Sequence, residues 1–467
     1  SADFPLSPSS PASFFRVLGQ KWVRENFEIT KRGICRQMIK ALAIVKKAAA
    51  KANVDALNID EKVGKAIMLA CDEILNGRLH GQFVTDLIQG GAGTSMNMNA
   101  NEVIANRANE LLGGKKGVYD FVHPNDHVNF GQSTNDVIQT AGKIAIVKQL
   151  KKLQVELKKL YNAYLNKATE FKDVIKMGRT HLQEALPLRL GQEFSAYASA
   201  LNRDMKRIDV AIEALLEVNM GATAIGTSLN ANEKYRKKVI YYLNKFSGEQ
   251  IKPAKDLIDA TRNFDTFGQA SSTLKLLALN LSKTASDLRL MASSGSNGFS
   301  EITLPHVQPG SSIMPGKYNP VVPEMVNQVC FYVIGLDVTI TKAIEAGQLE
   351  LNVFGPIILM SLFEQITTLR RATRTFHNLA ISGLIANTTK YKTDNSIYLI
   401  TALSPHLGHE EACNVVNEAI SSEKTIKQVL LDHHILSEEI INMVLDESNM
   451  TNPGICLLYT SPSPRDR

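Results

Sequence analysis

The sequence predicts an all-α protein built around a bundle of long helices. Three observations carry that prediction. Apolar residues recur at steps of three and four over long stretches, no run of alternating strands or internal repeat is present, and the joints are glycine-rich or polar. Stripes of ~25–30 residues make helices of roughly 40 Å at ~1.5 Å per residue. Helices that long need neighbours of similar length, and a bundle supplies them.

The elements follow in chain order. Ser1–Gln20 is irregular, rich in Ser and Pro, and lacks an initiator Met. It reads either as a transit segment or as a truncated or misread terminus. It opens an N-terminal domain, 1–132, whose joints lie at Gln89–Asn101 and Asn125–Asn135. A central helical bundle, 133–388, holds the stripes. The first runs Ile144, Val147, Leu150, Leu153, Leu157, Leu160, Tyr164. The second runs Leu190, Phe194, Tyr197, Leu201, Met205, Ile208, Ile212, Leu215. The third runs Ala270, Leu274, Leu277, Leu281, Ala285, Leu288, Met291. Between Glu324 and Ala346 the chain is apolar on most sides and is expected to be buried on most sides. Surplus apolar faces would pack against other subunits. A third joint, Gly295–Asn319, interrupts the bundle. Beyond it, short helical patterns ("GHEEACNVVNEAI", "TIKQVLLDHHIL", "SEEIINMVL") form a small C-terminal helical domain, 389–455. Cys456–Arg467 has no periodicity and reads as a non-native tail. Residues 1–20 and 456–467 are expected to be disordered or loosely attached.

Composition narrows the function classes. The formal charge is only +6, with no basic run, so no nucleic-acid partner is expected. The five cysteines (35, 71, 330, 413, 456) are scattered and never in C-x-x-C spacing. That disfavours a disulfide scaffold and a zinc site and fits a reducing compartment. A cytoplasmic location is expected, with organellar targeting by residues 1–20 left open. No apolar run reaches the ~18 residues of a membrane span, so no membrane partner is expected.

One stretch carries more chemistry than the rest. "PGSSIMPGKYNP", Pro309–Pro320, contains a G-x-x-x-x-G-K pattern from Gly310 to Lys317. A phosphate loop follows a buried strand and places Ser or Thr after the lysine. Here Tyr318 follows, and Pro305 and Pro309 spoil the strand upstream. A nucleotide loop is therefore the weakest reading, one that ATP binding would test. Two readings stay open: a plain surface turn, or a lid hinged by Gly295, Gly298, Gly310 and Gly316.

"GSSIMPGKYNP" is similar to the G-S-S-x-M-P-x-K-x-N-P signature of the fumarase/aspartase superfamily. The resemblance covers Asn26 to Ile455. Three further stretches resemble the family's other active-site boxes: "GGAGTSMNMNANEVIANRA" from Gly90, "GQSTND" from Gly131 and "MGRTHLQEALPLRLGQEF" from Met177. "SMNMN", "QSTND" and "EAGQLELNV" lean toward the aspartate ammonia-lyases within that superfamily. The resemblance implies an all-α homotetramer, each active site drawing on three chains. It implies a small dicarboxylate substrate (L-aspartate or fumarate), with no cofactor and no metal.

Such enzymes remove a proton from C3 of L-aspartate and expel ammonia from C2. The C3–H is a very weak acid, so the adjacent carboxylate must take the charge as an aci-carboxylate. Preorganised donors at that carboxylate are the main demand. Ser133, Thr134 and Thr180 supply them, with Ser312 and its backbone, and Met314 of the same "SSIM" run is a further substrate-binding candidate; Lys317 adds a fixed cation and Asn319 a donor. By resemblance the base is Ser311. Its oxyanion would be held by the N–H groups of Ile313 and Met314 and by the field of Lys317. The amino group needs acceptors, and the resemblance implies Thr94, Asn135 and a neutral His181. His306, His433 and His434 are read as structural or solvated. His123 and His127 lie near a site that some relatives use for a second anion.

The sequence departs from the family in places. Only Glu25–Phe27 aligns with the family's N-terminal Y-G-x-x-T-x-R-A-x-x-N-F motif, Gly355 stands where relatives often carry an acid, and Tyr318 replaces a small apolar residue. Alternatives to an ammonia-lyase are a fumarate hydratase on the same fold and a non-catalytic structural protein on this scaffold.

Overall fold

Helices form where the stripes lie. The computed structural model describes residues 29–294, 297–388 and 396–454. The expectations for residues 1–20 and 456–467 fall outside these. The helices are α1 (Arg36–Asp55), α2 (Glu61–Leu75), α3 (Thr94–Leu111), α4 (Thr134–Glu170), α5 (Leu190–Leu215), α6 (Glu233–Ser247), α7 (Leu257–Arg262), α8 (Asp265–Met291), α9 (Val321–Glu345) and α10 (Gly355–Phe376). Five short ones follow: α11 (Ser404–Leu407), α12 (His409–Ser422), α13 (Ile426–Asp432), α14 (Glu438–Val444) and α15 (Glu447–Met450). The all-α class holds.

The chain divides into two compact units. One holds the residues up to Leu157, with Arg203–Leu279 and Gln328–Ala372; the other holds Lys158–Asn202, Asn280–Asn327 and the residues from Thr373. In the first unit α1 packs against α2 and α6, and α2 against α3. Caps fix several helix starts. Asp60 accepts from Lys62 N–H before α2, Asn232 from Tyr235 N–H before α6, and Thr425 with Gln428 closes a capping box at α13. In the second unit, α12, α13 and α14 share an apolar cluster that includes Leu403, Val415, Leu430 and Ile441.

The predicted stripes are the buried faces. Ile144, Val147, Leu150, Leu153, Leu157, Leu160 and Tyr164 are all buried on α4, as are Leu274, Leu277, Leu281 and Leu288 on α8. Truncating one such leucine to alanine costs ~2–5 kcal/mol. The segment from Glu324 to Ala346 departs from expectation. It buries Val326, Cys330, Val333 and Ile340, but Phe331 is 62% exposed, Tyr332 45% and Val338 59%. The same helix, α9, is long and apolar enough to cross a membrane by length and composition, although no unbroken apolar run announces it. Its buried side carries polar anchors: Asp337 takes Ser271 Oγ at 2.7 Å and Lys275 Nζ at 2.6 Å.

Among the described residues the strands are β1 (Ile175–Thr180), β2 (Gln183–Arg189), β3 (Glu217–Val218), β4 (Lys252–Pro253), β5 (Ile302–Thr303) and β6 (Ile385–Ala386). β1 and β2 form an antiparallel hairpin in which Thr180 pairs with Gln183. Periodicity did not announce this hairpin. Its loop is the two residues His181 and Leu182, with φ of 54° and 63°. Two positive φ values in a two-residue loop are the type I′ pattern, a conformation that usually demands Asn-Gly.

Candidate active site

The expected site residues fall into two groups, one in each unit. The first group sits at two helix N-termini. Thr94 is the first residue of α3 and Thr134 the first of α4. Asn97 Nδ2, one turn into α3, donates to Thr134 Oγ1 at 3.3 Å, which ties the two ends together. Gly93 permits the approach: a Cβ there would lie 3.2 Å from Ile138 of α4, and its φ is +93°. The N–H groups of a helix's first turn favour an anion. These two starts can therefore receive a carboxylate.

Ser133, Thr134 and Asn135 are held from behind. Ser133 caps α4: its Oγ accepts from Asn135 N–H at 3.2 Å, and Asp136 Oδ1 accepts from Ser133 N–H at 2.9 Å. With its oxygen so engaged, the Ser133 hydroxyl proton is left to donate outward. Asp136 is fully buried. Its other oxygen accepts from Gly221 and Thr223 N–H, each at 3.1 Å. Burial pushes its carboxyl up to about 6 despite these bonds. Asn135 Nδ2 donates to Ala224 O at 2.6 Å, so the oxygen of that amide is the end turned to a donor such as an ammonium.

The loop that grips Asp136 and Asn135, residues 219–230, is a support for the candidate site that the sequence reading missed. Five of its residues have positive φ: Gly221, Thr223, Gly226, Ser228 and Asn230. The signal was present as two glycines five apart in a Ser/Thr-rich stretch, "MGATAIGTSLN".

Behind the group lies a buried cation. Lys46 is wholly buried and donates to Asn129 Oδ1 at 2.8 Å and Gln132 Oε1 at 2.9 Å. Asn129 Oδ1 also accepts from Asn97 at 3.3 Å and Asn101 at 3.2 Å. Burial lowers the Lys46 ammonium to about 7, opposed by the charge of Asp136. His123 and His127 stay local: His123 Nδ1 accepts from Asp126 N–H at 3.0 Å, and His127 Nδ1 from His123 N–H at 2.8 Å.

The second group joins the hairpin tip and the predicted lid. Thr180 ends β1, and His181 stands on the I′ turn. The lid follows β5. Its neck is shut by Ser311 N–H to Lys317 O at 3.1 Å. A Cβ on Gly310 would meet that same oxygen at 2.1 Å, so only glycine fits. Inside the loop, Ser311 Oγ accepts from Ile313 N–H at 3.3 Å and Met314 N–H at 3.2 Å. Ser312, Met314, Lys317 and Asn319 are exposed. Lys317 has no acidic partner among the described residues, so its charge is available to an anion. Tyr318 finds a partner the sequence did not suggest. Its ring stacks on His306, with centroids 3.6 Å apart and planes 9° from parallel. The pair borders a cavity of 320 Å³ lined by Ser300, Thr303, Asn319 and Asn387. No cluster of three metal-ligating side chains is found among the described residues.

Comparison with known proteins places this arrangement. A family profile described as "Lyase" matches residues 20–335, and one described as "Fumarase C C-terminus" matches residues 399–452. The chain is 51% identical over 433 residues to the aspartate ammonia-lyase of Bacillus subtilis, covering 92% of this chain and 91% of that protein. It is 47% identical to the Helicobacter pylori enzyme of the same name, covering 92% of each, and 44% identical to that of Escherichia coli, covering 92% and 91%. Among solved structures, a fumarate lyase:delta crystallin from Brucella melitensis bound to cobalt superposes with a TM-score of 0.90 at 44% identity, covering 93% of this chain and 95% of that one. A class II fumarase from Schistosoma mansoni superposes with a TM-score of 0.90 at 32% identity, covering 96% of each. The chain belongs to the fumarase/aspartase family of lyases.

Proposed function

We propose that this chain is an aspartate ammonia-lyase, which eliminates ammonia from L-aspartate to give fumarate. The observation that carries the reading is the graded similarity. Identity is 44–51% to three aspartate ammonia-lyases and 32% to a class II fumarase.

In this reading Ser311 takes the C3 proton. Its Oγ already accepts two backbone N–H groups, which is the setting an alkoxide needs. The electron pair moves into the adjacent carboxylate, which Thr180, Ser133 and Thr134 hydroxyls receive as donors. It then forms the C2–C3 double bond as the C–N bond breaks, and the ammonium departs as neutral ammonia. Thr94, Asn135 and His181 hold the amino group. Lys317 and Asn319 bind a carboxylate, Ser312 donates through its main chain, and Met314 contacts the substrate. The reaction then needs no metal or cofactor.

The reading includes a homotetramer whose active sites each draw on three chains. The exposed apolar side of α9 supports it: burying Phe331, Tyr332 and Val338 gains ~25 cal/mol per Å² of apolar surface. A reducing, cytoplasmic location is part of the same reading, supported by free Cys35, Cys71, Cys330 and Cys413.

Fumarate absorbance tests the activity. Release from L-aspartate supports the reading, release from L-malate alone makes the chain a fumarate hydratase, and release from neither makes it a structural protein on this scaffold. A monomer in solution scattering at working concentration overturns the assembly.

A further inference from the structure

The hairpin that carries Thr180 and His181 and the segment that begins the lid meet at one buried side chain. Glu301 is only 4% exposed, as is Lys176 of β1, and its Oε2 lies 2.5 Å from Lys176 Nζ. Its Oε1 takes Nη1 of Arg179, the residue immediately before Thr180. Lys176 also reaches both oxygens of Glu193 at 3.2 Å and Met291 Sδ at 3.4 Å. The Arg179 guanidinium lies over the Phe299 ring at 4.3 Å and donates to Met177 O at 3.2 Å. Two cations thus face two carboxylates: Lys176 and Glu301 are buried, and Arg179 and Glu193 flank them with partial exposure.

The main chain of Glu301 is fixed as firmly as its side chain. Its N–H donates to Met291 O at 2.8 Å, and its carbonyl accepts from Asn387 N–H at 2.9 Å. β5 starts at the next residue, and the lid follows. The hairpin tip has no comparable anchor. Thr180, His181 and Leu182 are exposed, and both loop residues sit at positive φ. A strained turn persists only when its surroundings over-determine it. Arg179, one residue away, is where that determination enters.

We infer that Glu301 is a positioning residue: through Arg179 and Lys176 it aims Thr180 and His181, and it gives them and the lid a common origin. This rests on the reading of Thr180 and His181 as substrate-side groups. Glu301 touches no substrate. It acts by holding β1 against the segment from which the lid departs, so both sets of groups keep one frame.

The test is a double-mutant cycle on fumarate release by the full chain, with thermal stability and assembly state as controls. Glu301→Gln keeps shape and removes the charge. Turnover should fall ~10²-fold, the usual cost of displacing a reacting group by ~1 Å. In a Thr180→Ala/His181→Ala background, whose own turnover is already low, the same change should cost less than about threefold, because both groups it aims are gone. An equal loss in both backgrounds overturns the inference, and so does an unaltered turnover in Glu301→Gln alone. If Glu301→Gln fails to assemble, Arg179→Gln, 21% exposed, runs the same cycle with the same two outcomes. His181→Ala at wild-type turnover would show a different failure. It would remove His181 from the site and take that part of the inference with it, whereas a crippled Thr180→Ala/His181→Ala background with additive Glu301→Gln overturns the inference alone.

Discussion

The helix-borne group and the lid are built on opposite plans. Ser133, Thr134 and Asn135 are half-buried, and each is tied to groups behind it: Asp136, Asn97 and Ala224. Among the described residues, the hydrogen bonds of the lid stay within it. Its bonds run from Ser311 to Lys317, Ile313 and Met314, and Ile313 is 86% exposed. The difference separates two jobs. Groups that must meet a developing charge without reorganising belong on rigid elements. Groups that must admit substrate and then exclude water belong on a loop that can move. Substitutions should therefore divide in the same way, costing activity alone in the lid and stability with activity at the helix starts.

Ser311→Ala tests the lid side most severely. Turnover should drop ~10³-fold, within the ~10²–10⁴ range for a general base. The melting temperature should barely move, since Ser311 is only half-buried and its bonds stay within the loop. Ser312→Ala should cost less, because that residue acts through its main chain. Steady-state rates beside a thermal melt check both, and Ser312→Ala as the worse variant would reverse the assignment.

Lys317→Ala should come next. It removes the one cation assigned to a carboxylate, so KM for aspartate should rise steeply and turnover should fall, again with no change in melting. An unaltered KM would take Lys317 out of the substrate site.

Asp136→Asn belongs to the other side of the comparison. The amide turns an N–H₂ toward N–H groups that need an acceptor, costing ~1–3 kcal/mol. Denaturant unfolding should show that loss, and turnover should fall with it as Ser133 loses its brace. Full stability with normal turnover would erase the contrast between the two regions.

Lys46→Met leaves turnover least affected and gives the most specific signal, read in stability against pH. Burial lowers the Lys46 ammonium from 10.5 to about 7. Between those values the unfolded chain binds a proton that the folded chain does not, so this group's contribution to stability rises with pH. It is complete above the ordinary value and lost as pH falls through about 7. Unfolding measured from pH 7 to pH 10 should therefore favour wild type over Lys46→Met increasingly. A constant difference would mean that Lys46 stays charged when buried.

Much of this was legible in the sequence. The α4 and α8 stripes are buried as read, because a period of three and four over so many residues has one solution. The two N–H groups expected to cradle Ser311 are those that reach it. What stayed hidden had a physical cause. The β1–β2 hairpin gave no turn signal, because His181 and Leu182 occupy places where Asn and Gly would have advertised it. Tyr318 looked like an unexplained departure until His306, twelve residues earlier, closed on it from the other side of the loop. The exposure of Phe331 and Val338 was unreadable too, since a helix apolar on most sides does not say which side stays exposed.

The same His181–Leu182 turn has a consequence for anyone breeding variants of this protein. Each left-handed non-glycine residue holds back ~1–3 kcal/mol. Replacing the pair with Asn-Gly would release it, so a screen for survival of heating would find that change attractive. It would also discard the imidazole. A screen for fumarate output would keep the histidine and carry the strain forward. Populations bred under the two regimes should part at residues 181 and 182 while staying alike along the α4 stripe.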